Sequence, residues 1–165
     1  MEINQTRNAL LEALHQRCAA ATADMELQTQ RQKGDTMEIR RPPDVYKMRL
    51  SDSSHFKKLA PYIILQFVNG IDMQKTGRWE DSSAVVRIIL CVYSEREDEG
   101  SMTLLNVMDR LRLDLLRHPV VGDAFKLDTD QGLESLVYVD DTAPFYGGEM
   151  MATFFCPPVP RDVRF

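Results

Sequence analysis

Residues 84–119 read AVVRIILCVYSEREDEGSMTLLNVMDRLRLDLLRHP, and their patterning decides the fold. Val85–Tyr93 is an apolar run broken only by Arg87, which predicts a strand covered on both faces. Glu95–Glu99 is an acidic turn. From Ser101 the period changes to that of a helix. Leu104, Met108, Leu111 and Leu115 fall at i, i+4, i+7 and i+11, while Asp109, Arg110, Arg112 and Arg117 take the wet side. The helix is expected to begin just after Gly100, with Ser101 or Thr103 as its cap. It is expected to end at His118, because Pro119 disfavours helical geometry in the residue before it. A strand feeding a helix this closely is the centre of a small α+β domain.

Upstream, Ala60–Asn69 predicts a strand entered through Pro61 and closed by Gly70, with Ile63, Leu65 and Phe67 on one face. Ile71–Ser83 reads as a connection with Gly77-Arg78-Trp79 near its tip. Trp79 is either a partly packed loop aromatic or an exposed contact residue. Asn4–Ala21 predicts a helix with Ile3, Leu10, Leu14 and Cys18 on one face, Asn4 or Thr6 as cap, and Glu12, Gln16 and Arg17 on the wet side. Between these, Pro42-Pro43 breaks the chain and Val45–Leu50 alternates like a half-buried strand. Arg31, Lys33, Arg40, Arg41, Lys47 and Arg49 make residues 25–54 basic within an acidic chain. That region is a solvated hairpin, or a projecting loop that meets an acidic neighbouring surface.

Downstream, Phe125–Leu127 is a weak strand, Leu133–Asp140 a stronger one, and Gly147–Cys156 the last. Pro157–Phe165 has no strand or helix period and reads as an extended tail, with Phe165 a candidate anchor on a partner. The expected fold is α+β. A small, mostly antiparallel sheet is flanked by two helices in the order α-(β hairpin)-β-β-α-β-β. Residues 1–156 form one domain, with 25–54 as a possible inserted hairpin, and 157–165 form the tail.

A chain of 165 residues is one domain by default and can bury a core without staples. A net charge of -5 argues against a protein that grips nucleic acid through phosphates. Cys18, Cys91 and Cys156 are far apart and lack CxxC spacing, so they read as ordinary buried thiols. No apolar run reaches the ~20 residues of a membrane helix, and MEINQTRNALLEALHQR lacks a signal-peptide apolar region. The product is expected in the cytoplasm when made.

Glu95, Glu97, Asp98 and Glu99 are the most chemical-looking cluster. Carboxylates hold hard divalent cations and do acid–base work. These four crowd one turn beside Arg96, which reads as a solvated loop. His15, His55 and His118 lie in separate segments without HxxxH or HExxH spacing. Nucleophile-elbow, phosphate-loop and dinucleotide motifs are missing from the sequence. No catalytic, cofactor-binding or metal residue is named, and an enzyme built on residues 95–99 is the lesser alternative.

The layout resembles the tail terminator, or tail-completion, proteins of long-tailed bacteriophages and their prophage relatives. The carriers are the first helix, the proline-led strand PYIILQFVNG, the unit VVRIILCVYSEREDEGSMTLLNVMDRLRLDLL, and the glycine-led last strand FYGGEMMATFFCPP. The resemblance covers about Ala60–Pro158 plus the first helix. It implies a structural ring, typically hexameric, that caps the tail tube and joins it to the head-side connector, with no cofactor and no turnover. DNA would pass through without specific binding, and the protein would reside in the host cytoplasm and then in the virion neck. Another neck, head-completion or baseplate component is the nearest alternative. Candidate interface or lumen residues on this reading are Glu95, Glu97, Asp98, Glu99, Arg40, Arg41, Arg49, Trp79 and Phe165.

Overall fold

A computed structural model describes residues 6–31, 34, 37–50, 59–139 and 142–162. Its elements, in chain order, are α1 (Arg7–Thr22), β1 (Leu27–Gln28), β2 (Arg40–Arg41), β3 (Asp44–Lys47), β4 (Tyr62–Met73), β5 (Asp81–Tyr93), α2 (Glu97–Arg117), β6 (Val120–Val121), β7 (Phe125–Leu127), β8 (Glu134–Val137) and β9 (Phe145–Cys156). The fold is α+β with two described helices. The sheet is larger than the small one expected. Seven strands run in the order β3-β4-β5-β9-β7-β6, with β8 also on β9, and β1 and β2 form a separate pair.

The sheet is also not wholly antiparallel. β3 lies parallel to β4, with Asp44 opposite Tyr62 and Lys47 opposite Leu65. The sequence gives no warning, because alternation in Val45–Leu50 predicts a strand but not its direction. Three long antiparallel strands, β4, β5 and β9, form the centre, with 12, 13 and 12 residues. The far edge of β9 is shared. β8 pairs with Gly148–Met151 and β7 with Phe154 and Phe155.

Period-2 alternation sets which side of β5 is dry. Ala84, Val86, Ile88 and Leu90 are buried beneath the helices, in one cluster with Leu10, Leu14, Leu104, Leu111, Leu115, Met150 and Phe154. A second, smaller cluster of Leu50, Ala60, Tyr62, Ile64, Cys91 and Tyr93 covers one end of the opposite face. β5 is therefore buried on both faces only from Leu90 to Tyr93, not along its whole length. Leu10, Leu14, Cys18, Ile63, Leu65, Leu104, Met108, Leu111 and Leu115, placed on one face by their period, are all buried, and Phe67 is partly covered against the same cluster.

Several boundaries move. α2 begins at Glu97 with Arg96 as N-cap, so Glu97, Asp98 and Glu99 form its first turn, and Gly100 lies inside the helix. Carboxylates there are stabilised by the partial positive charge of the helix start. Gly100 is needed for packing. A Cβ at this position would sit 2.1 Å from a ring carbon of Tyr146. Both ends of the expected connection 71–83 are strand, and only 74–80 is loop. β4 runs through Gly70 to Met73 and β5 starts at Asp81, with a register shift between Phe67 and Asn69.

Thr6 caps α1, its hydroxyl accepting the Ala9 N–H at 3.1 Å. The other proposed cap, Asn4, lies outside the described residues, as do Ile3, Lys33, His55, Asp140 and Phe165. Arg17 does not point to water. Its Nη1 donates to the Val120 carbonyl at 2.9 Å and its Nη2 to the His118 carbonyl at 2.8 Å. α1 is also tied to β3, where His15 Nε2 lies 3.1 Å from the Val45 carbonyl oxygen. That oxygen can only accept, so the bond places a proton on Nε2. Cys18 and Cys91 are buried, while Cys156 is only partly covered.

Candidate functional site

The acidic residues divide into two roles. Glu95 lies in the turn before α2, where its backbone N–H donates to Gln28 Oε1 at 3.0 Å and its carboxylate accepts from the Tyr93 hydroxyl at 3.2 Å. Glu97, Asp98 and Glu99 follow on the first helical turn, and all are exposed. Arg96 bridges Asp98 at 3.4 Å and Glu99 at 3.1 Å. Helical spacing turns these three carboxylates in different directions. Among the described residues, no group of three or more His, Cys, Asp or Glu is placed to hold a metal ion.

The basic residues are mostly engaged. Arg41 pairs with Asp44 at 3.0 Å, and its guanidinium donates to the carbonyls of Pro61 and Leu59 at 3.2 and 2.9 Å. It braces the start of β4. Arg40 pairs with Glu38 at 2.8 Å. Arg40 and Glu99 line one cleft of about 270 Å³ between the β1–β2 pair and α2. The fold thus brings part of the basic region and part of the acidic run together within one chain. Arg49 is exposed beside Met48, whose φ is +69°.

Trp79 is 91% exposed, which removes the packed-loop reading. It sits in the 74–80 loop with Lys75 and Arg78, also exposed. Behind this loop, the sheet face away from the helices is open. Ile71, Met73 and Phe155 lie there 51%, 43% and 46% exposed, and Leu136 of β8 joins them. Register places them on one side, since Ile71 faces Ser83 and Ser83 faces Phe155. Arg87 and Glu149, paired at 2.8 Å, separate this open half from the covered one. They form a diagonal cross-strand pair.

On the helix side of the same sheet end, Asp72 accepts from the Ser82 hydroxyl at 2.6 Å and pairs with Arg7 at 3.0 Å. The Ser82 hydrogen bond, and then Arg7, hold its carboxyl below the ordinary aspartate range. These residues line a cleft of about 450 Å³ reached by Val159 of the tail, whose carbonyl accepts from Gln74 at 2.9 Å. Burial pushes the Cys156 thiol up at its edge.

Sequence reasoning missed a second apolar face on α2. Met102, Leu105, Leu113 and Leu116 are 65%, 48%, 39% and 42% exposed. With Asp98 and Asp109 they form a continuous outer stripe at helical spacing, opposite the buried Leu104, Met108, Leu111 and Leu115. The signal was present in the paired leucines 104–105 and 115–116.

No family model and no curated protein matches the chain. One solved structure aligns at 12% identity over 98% of this chain and 99% of its own, with a TM-score of 0.47, a likeness too loose to carry an argument.

Proposed function

We propose that the chain is a structural component of a bacteriophage or prophage tail, a tail terminator that assembles into a ring on the end of the tail tube. The observation that supports this best is the pair of unlike apolar surfaces on one small fold, the open half of the sheet and the outer stripe of α2. Exposed apolar surface of this extent fits a protein whose work is assembly. The net charge of -5 suits a lumen through which DNA passes without adhering. The tail tube protein and the head-side connector are the partners on this reading, and neither turnover nor a cofactor is involved.

The test is reconstitution on tail tubes. Tube protein is polymerised with and without the purified chain, and tube lengths and ends are imaged by electron microscopy. Shortened tubes bearing a ring of copies at one end are the expected result. Tubes of unchanged length with bare ends overturn the proposal.

A further inference from the structure

The 74–80 loop and the start of α2 stand at opposite ends of β5. A 13-residue strand at about 3.3 Å per residue separates them by roughly 40 Å. The first turns of α2, with Asp98, Met102 and Leu105, therefore cannot reach the loop within one chain, and the two surfaces are opposite in charge. Lys75 and Arg78 precede Trp79 in the loop, and Glu80 on its other side is paired with Arg161 at 3.7 Å. The outer stripe of α2 carries Asp98 and Asp109 among Met102, Leu105 and Leu113. Among the described residues, both aspartates pair with exposed cations, Arg96 at 3.4 Å and Arg112 at 3.6 Å. Such pairs are weak and readily exchanged for better ones.

We infer that the 74–80 loop of one copy docks on the outer stripe of α2 of a second copy, with Trp79 seated between Met102 and Leu105 and with Lys75 and Arg78 facing Asp98 and Asp109 on either side. A second copy is the occupant because the same chain supplies both halves, apolar against apolar and basic against acidic. Trp is among the residues that most often anchor a contact, and this one is held almost wholly in solvent. Because the two surfaces differ, the contact is head-to-tail, and it closes into a ring when the rotation between copies permits. The inference rests on the ring reading above and names the surfaces that would build it.

Charge reversal tests it. K75E/R78E leaves both surfaces acidic, and D98K/D109K leaves both basic. Each variant alone should self-associate about tenfold or more weakly than the wild type in sedimentation velocity, since like charges then face each other. An equimolar mixture should recover association, with the two variants alternating. Trp79→Ala, at an exposed loop position that cannot disturb the core, should weaken association similarly. Wild-type association in any of the three variants overturns the contact, as does a mixture no better than its components or a wild type monomeric at every concentration. Trp79→Ala that still caps tubes normally overturns this contact and leaves the ring reading standing. Tubes that ignore the wild type overturn the ring reading, while association in solution still decides the contact.

Discussion

Arg17 Nη2 lies 2.9 Å from Asp114 Oδ2, and its Nε lies 3.1 Å from the same oxygen. With the carbonyls of His118 and Val120 also in reach, one α1 side chain gathers the C-terminal end of α2. The His118 carbonyl, at the helix C-cap, has no partner within the helix, and that of Val120 belongs to β6, so a planar donor fork can hold the two together.

Arg17→Ala should lower stability by about 1–3 kcal/mol, because it leaves partly covered acceptors without a donor. Arg17→Lys keeps the charge but not the fork, and should recover part of the loss. Urea unfolding with an unchanged m-value measures both. Equal stability of Arg17→Ala and wild type refutes the clamp.

The two faces of α2 should respond differently to truncation. Leu111 is 1% exposed and Leu105 is 48% exposed. Leu111→Ala should cost about 2–5 kcal/mol, whereas Leu105→Ala should leave the stability of the monomer within about 0.5 kcal/mol. Thermal melts at low protein concentration separate the two. A large loss for Leu105→Ala in the monomer means the stripe is structural.

Gly100→Ala opposes two effects. Helix propensity favours alanine by about 1 kcal/mol. The added methyl, however, collides with the Tyr146 ring, and overpacking costs about 1–3 kcal/mol. A net loss is expected, and it should vanish in the Tyr146→Ala background. A double-mutant cycle of chemical unfolding curves reads this coupling directly. Additive changes rule out the collision.

Asp72 carries a pH dependence whose sign is fixed. Its folded carboxyl is held below the ordinary value of about 4 by Ser82 first and Arg7 second. The stabilisation is therefore complete above that ordinary value and is lost as pH falls through the lower folded value. The side chain is about half exposed, so solvent screening keeps the effect small. Asp72→Asn should be less stable than wild type at neutral pH, and the gap should narrow as pH falls below the ordinary carboxylate range. A gap that stays constant there contradicts the assignment.

The central strand, α2 and the last strand were legible because their burial follows simple periods. Leu104, Met108, Leu111 and Leu115 repeat as a helix must, and Met150, Ala152 and Phe154 alternate as a strand must. Other features depend on partners distant in the chain. Gly70 looked like a strand stop, yet it is an interior residue of β4 whose helix-side face is occupied by Arg7. The parallel pairing of Val45 with Ile63 is a choice of neighbour, which alternation cannot express. The acidic run was read as a loop although Glu97, Asp98 and Glu99 are what a first helical turn favours. Of the candidate site, charge was visible and geometry was not. Arg41, read as one of a basic cluster, is tied to the Pro61 and Leu59 carbonyls, and Trp79, for which a packed and an exposed reading were both open, is bare.

The three long strands have a mechanical meaning. β5 is paired from Ser82 to Tyr93 with β9 on one side, and from Asp81 to Cys91 with β4 on the other. A pull along the strand axis at the 74–80 loop, which joins β4 to β5, draws those two strands together and loads the β5–β9 ladder in shear, with its bonds resisting together. A pull across the strands would open them one at a time. The molecule is therefore a strut, stiff along β5 and weak crosswise, and tension entering at Trp79 is carried to the foot of α2 with little stretch.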